Sequence, residues 1–130
     1  MLNPSTADAE IDDPTIRRCM GFTRREGFDA MVVVNLCAFR ATDPRELLDA
    51  DDPGGPENGE WIHKACFQGT TIVCAWGAIP KPIRKFADLA VKLMRDDGYG
   101  EKLKCLGKTK DGQPRHPLYV RADAPLVEFA

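Results

Sequence analysis

Residues 29–39 read DAMVVVNLCAF, and this run constrains the fold more than any other part of the chain. It is short, β-branched and apolar without alternation, so neither of its faces suits water. Such a segment predicts a central strand of a parallel sheet covered on both sides. Residues 70–78, TTIVCAWGA, repeat the pattern and end in Trp-Gly, and residues 102–107, KLKCLG, suggest a third, shorter strand.

Helical signals lie between these runs. Asp12-Asp13-Pro14 places a capping carboxylate before a proline at the first helical position, and Ile16, Cys19, Met20 and Phe22 then recur at helical spacing until Gly27. The stretch from Arg40 to Asn58 is rich in Asp, Pro and Gly, which predicts a short helix over 44–50 and then a long loop. A second helix is expected from about Glu57 to Gln68. A third opens at Pro80 and Pro82 and closes at DDGYG, with Ile83, Phe86, Leu89, Ala90, Leu93 and Met94 on one face. Alternating helices and strands call for a single α/β domain over residues 1–130. The expected form is a three-layer sandwich, a small and mostly parallel sheet flanked by helices and joined by right-handed crossovers.

The opening MLNPSTAD fits this order as the end of a first strand, represented by Met1 and Leu2 and apparently truncated, followed by the polar turn Asn3-Pro4-Ser5. Whether the C-terminal APLVEFA pairs as an edge strand stays open.

A net charge of −2 over 130 residues argues against coating nucleic acid or anionic membrane through bulk charge. The positive charge is local: between Glu101 and Arg121 six Lys or Arg face only Glu101 and Asp111. No apolar run has the length of a bilayer span and no secretory leader is visible, so a soluble, cytoplasmic protein is expected. The five cysteines are scattered without a C-x-x-C pair, which reads as buried free thiols, and no metal site is expected.

Open parallel sheets bind ligands at the carboxyl ends of their strands, and four polar clusters should meet there. They are Asn3 to Asp8, Asn35 to Arg40, Trp76-Gly77 and Lys108 to His116. Asn35 follows three valines, so its amide needs a partner or a ligand, and it can give and take one hydrogen bond each with a base edge. His116, in a basic loop, suits the stabilisation of negative charge on a departing group. Trp76 offers a planar ring for stacking or for the core. Structural roles remain open for each: a loop partner for Asn35, an ordinary loop histidine for His116, a turn former for Asn3.

LNPSTAD, DDPTIRRC, VVVNLCAFRATDP, AWG and CLGKTKDGQPRHPLY together resemble the phage and bacterial family called domain of unknown function 1643, across nearly the whole chain. Their order also resembles, more distantly, the uracil-DNA glycosylase superfamily. There an N-P turn positions the attacking water, a strand-end Asn reads the pyrimidine edge and a late His supports the departing base. The resemblance implies those roles for Asn3, Asn35 and His116 respectively. Two positions depart from that pattern: Met1 stands where a Gly is usual, and Leu118 follows His116-Pro117 where a Ser is usual.

The expected function is recognition of a nucleobase, with hydrolysis of the N-glycosidic bond of a modified or mismatched pyrimidine in DNA. Asn3 and His116 are the candidate catalytic residues. Asn35, Ser5, Arg40, Trp76 and Gly77 would bind the base or ligand, and Lys108, Lys110 and Arg115 would hold phosphates. This reading requires no cofactor, and its partner is nucleic acid or a nucleotide. The alternatives are a non-catalytic nucleotide or nucleic-acid binding module and a phage protein that binds a host protein.

Overall fold

The computed structural model describes residues 1, 13–36 and 58–129, with backbone alone at 58, 59 and 61. Asn3, Ser5, Arg40, Cys37, the N-terminal turn and the short helix expected over 44–50 lie outside the described residues.

The first helix, α1 (Pro14–Arg25), begins where local chemistry dictates. The Asp13 carboxylate accepts hydrogen bonds from the amides of Thr15 at 2.8 Å and Ile16 at 3.4 Å, and Pro14 needs no N–H at the first position. The turn after it uses Gly27 at φ +79°, a left-handed conformation that suits glycine. The second helix, α2 (Asn58–Gln68), starts within a residue of its expected position.

Strand β1 (Ile72–Cys74) pairs in parallel with β2 (Leu103–Cys105), with Ile72 opposite Leu103 and Cys74 opposite Cys105. The C-terminal segment does pair: β3 (Val127–Glu128) lies antiparallel to β2, opposite Lys104 and Cys105. The sheet is therefore mixed, in the order β1-β2-β3, rather than mostly parallel.

The valine run corrects another expectation, because residues 31–36 are not part of this sheet. Val32 is 75% exposed and Val33 37%, so the run does not occupy the centre of a covered sheet. It is held at one end by Met1, whose amino group donates to the Val34 carbonyl at 3.2 Å while the Leu36 amide donates to the Met1 carbonyl at 2.8 Å. Two bonds flanking Asn35 in this way are the unit of a parallel pair, one residue long.

A 3₁₀ turn at Lys81–Ile83 leads into α3 (Arg84–Asp96). Its buried stripe is Ile83, Ala87 and Met94, with Phe86, Ala90 and Val91 partly covered. Leu89 and Leu93, expected on the inner face, are 55% and 52% exposed. The helix is rotated so that Ala87 faces the core, which carries both leucines outward. Ile83, Ala87 and Met94 share one core cluster with Cys66 of α2, Cys74 of β1 and Leu103 of β2.

The expected buried free thiols are found at Cys66, Cys74 and Cys105, whereas Cys19 on α1 is free but only half-buried. Burial pushes the Cys74 thiol up to about 12, so it behaves as an apolar filler rather than a nucleophile. Among the described residues no helix is long and apolar enough to cross a membrane.

The rotation of α3 is testable by urea unfolding. Ile83→Ala should cost about 2–5 kcal/mol of stability and Leu93→Ala no more than about 0.5 kcal/mol. Equal losses would restore the face expected from periodicity.

Candidate functional site

The parallel pairing of β1 and β2 sends both strands out of the core at the same end. Beyond β1 the chain continues through Ala75 and Trp76 to Gly77, and beyond β2 through Leu106 to Gly107 and the basic loop. The loop is a small hairpin: the Thr109 amide donates to Gln113 at 2.8 Å, the Gly112 amide to Thr109 at 3.0 Å, and Lys108 bridges Pro114. Its returning arm is stitched to the two strand ends. The Gly77 amide donates to the Pro114 carbonyl at 2.8 Å and the Arg115 amide to the Gly107 carbonyl at 2.9 Å.

These bonds bring Gly77 against His116. Gly77 has φ +76°, and a Cβ there would lie 3.0 Å from the His116 Cβ. Glycine is thus required twice, for the left-handed backbone and for the close approach. The His116 ring is half-buried, and its Nδ1 accepts a hydrogen bond from the Leu118 amide at 3.2 Å, capping the 3₁₀ turn Pro117–Tyr119. With Nδ1 accepting, the neutral imidazole carries its proton on Nε2 and is a donor there.

Burial pulls the His116 imidazole below its ordinary value, the Met1 amino group adds to the shift, and Asp13 opposes it. The Met1 amino group is itself lowered by burial. Met1 and the N-terminus of α1 therefore lie within electrostatic reach of His116, and Met1 also carries the backbone pair with Asn35. Asn35 itself is half-buried.

Arg18, which the sequence did not single out, fastens α1 to this turn. Its guanidinium donates from Nε to the Pro117 carbonyl at 3.1 Å and from Nη2 to the Val120 carbonyl. Gln113 is a second such residue, because its Oε1 accepts the Trp76 indole N–H at 2.8 Å. Neither carries a sequence signal, since their partners lie 99 and 37 positions away.

Trp76 is only 6% exposed and meets Phe129 edge-on, with ring centroids 5.7 Å apart. With its N–H committed to Gln113, it anchors the hairpin to the core. Lys108 and Arg115 are neighbours: the Arg115 Nε donates to the Lys108 carbonyl at 3.2 Å, and the Lys108 ammonium sits 5.5 Å from the centre of the Phe129 ring. Lys110 is exposed near the hairpin tip. Trp76, Gly77, Lys108, Arg115 and His116 thus share one end of the sheet.

Residues 1–118 match a protein family described as "Protein of unknown function (DUF1643)". The chain belongs to this family. No curated protein and no solved structure matches it.

Two predictions follow from the His116 environment. A lowered histidine value in the fold means that the unfolded chain takes up the proton first as pH falls. Stability should therefore decline as pH drops through about 6.5, with the loss complete below the folded value. Urea midpoints from pH 8 to 5 for wild type and His116→Asn measure this, and a histidine contribution requires a shallower decline in the variant. Gly77→Ala should lower stability by about 1–3 kcal/mol and displace the His116 ring resonances, whereas unchanged resonances would contradict the contact.

Proposed function

We propose that this end of the sheet is a nucleobase-recognition site of uracil-DNA-glycosylase type, acting on a base in nucleic acid or a nucleotide. The observation that carries the reading is the hydrogen bond from the Leu118 amide to His116 Nδ1, which turns Nε2 outward as the donor of the neutral ring. A neutral imidazole, held by a backbone amide on Nδ1 and disfavoured from protonating, offers an Nε2–H donor without adding a full positive charge. Such a donor suits an oxygen that gains negative charge when a base departs. Asn35 supplies the amide that gives and takes one hydrogen bond each with the base edge, and Gly77 lets the His116 backbone pack close to the end of β1. Lys108, Lys110 and Arg115 contribute phosphate contacts from the basic hairpin.

In the catalytic form of this proposal, water attacks the sugar carbon as the glycosidic bond breaks. The bonding electrons leave with the base, where the His116 Nε2–H supports the developing charge, and Asn3 orients the water. The water's hydroxyl becomes the C1′ hydroxyl of the sugar and its proton ends on the departing base, so the products are the neutral free base and a sugar that has lost it. No step in it calls for a cofactor.

A second reading has its own support. His116 already serves as the cap of the 3₁₀ turn, a structural duty that a non-catalytic binding module would also require. His116→Asn separates the two, because Asn is a good cap but lacks the imidazole donor.

Oligonucleotides carrying uracil, mismatched thymine or 5-substituted pyrimidines provide the test, assayed for binding and for base release. The glycosylase reading expects release by wild type that falls at least about a hundredfold in His116→Asn and in Asn35→Ala. Binding that needs Asn35 but never releases a base would establish the module. Absence of binding to oligonucleotides and free nucleotides alike would overturn both and turn attention to a protein partner.

A further inference from the structure

Helix α1 grips the His116 turn at both of its ends through one side chain. The Arg18 guanidinium donates from Nε to the carbonyl of Pro117, which opens the 3₁₀ turn, at 3.1 Å, and from Nη2 to the carbonyl of Val120, which closes it. Arg18 is half-buried, and its guanidinium also lies against the Phe22 ring one helical turn on, 5.6 Å from the centroid. Its own helix thus supports the guanidinium where the turn needs it.

A 3₁₀ turn as short as Pro117–Tyr119 is closed by the Tyr119 amide donating to the His116 carbonyl at 3.0 Å. Helical pieces of this length are marginal in water without outside contacts. The planar guanidinium supplies such a contact, because its Nε and Nη2 donors keep a fixed spacing and hold two carbonyls at a matching separation. A lysine ammonium, being a point donor on a flexible stem, has no such fork.

What the turn aims is the Leu118 amide, which donates to His116 Nδ1 at 3.2 Å. A ring nitrogen that accepts a hydrogen bond does not carry the proton of the neutral imidazole, so the direction of this N–H decides the tautomer. The chain of cause runs from Arg18 to the turn, from the turn to the Leu118 amide, and from that amide to the ring.

We propose that Arg18 is the positioning residue that selects the tautomer of His116: by clamping both ends of the 3₁₀ turn it keeps the Leu118 amide on Nδ1 and leaves Nε2 as the donor. Arg18 acts here through backbone geometry rather than through its charge. That the selected donor serves a departing base rests on the nucleobase reading, whereas the tautomer is a property of the unliganded chain.

Heteronuclear NMR of the His116 ring nitrogens in the full chain tests this without any ligand, so its failure and the failure of the nucleobase reading are distinguishable. The charged groups that act on His116 are the Met1 amino group and Asp13, and the variants leave both in place. In wild type at about pH 8 the proton should sit on Nε2 alone. Arg18→Met should spread it over both nitrogens and raise the titration midpoint by about half a pH unit or more, because an amide donating to Nδ1 favours the neutral ring. Arg18→Lys should move both readouts in the same direction, and since it keeps the charge, that change belongs to the lost fork. Where Arg18→Met fails to fold, Arg18→Lys carries the test. Arg25→Met is the control: Arg25 lies against the same Phe22 ring, 4.9 Å from the centroid, but donates to the Ala122 carbonyl at 3.0 Å, beyond the turn. It should leave His116 as in wild type. An unchanged tautomer and midpoint in folded Arg18→Met or Arg18→Lys overturns the proposal, and equal changes in Arg25→Met overturn it in favour of the general docking of α1.

Discussion

The parallel register of β1 and β2, with Cys74 beside Cys105, is the constraint from which the rest of the described structure follows. It brings two chain segments out of the core at one end, so that Gly77 and Gly107 can both be hydrogen-bonded by the returning arm of the hairpin. Shifting this register would move the Pro114 carbonyl away from Gly77 and remove the contact with His116. The buried thiols sit at its centre and make the pairing close without a polar group to satisfy. Here packing decides the placement of polar groups, and the electrostatics of the imidazole result from that placement.

Local features were the most legible in the sequence. The Asp13 cap and the proline after it define α1 because all the participating atoms lie within a few residues of one another. Gly27 after α1 and the position of β2 were similarly visible. Periodicity alone could not orient α3. Its apolar residues span more of the circumference than the core covers, and Ala87, rather than Leu89 or Leu93, is the one buried there. The valine run was misread for a related reason: an apolar composition states what a segment needs, whereas the sheet position depends on neighbours remote in sequence.

The candidate site was legible by residue type and only partly by arrangement. His116 and Gly77 both attracted attention, one as a loop histidine and the other as the end of an apolar run, but their contact spans 39 positions and has no local signature. Trp76 shows the opposite case. Its ring suggested either a stacking surface or a core position, and its place in the core beside Phe129 turns it into the anchor for Gln113. Arg18 was passed over because an arginine on a helix ordinarily faces solvent, while here its donors close the carbonyls around the His116 turn.

We propose that Asn35 and His116 recognise one heterocycle together. Heteronuclear NMR of the full chain, titrated with free uracil, thymine and cytosine, tests it directly by following the Asn35 side-chain amide and the His116 ring nitrogens. The account predicts that at least one base shifts both sets of resonances with a common saturation curve. Shifts at neither residue, or at one without the other, would contradict it.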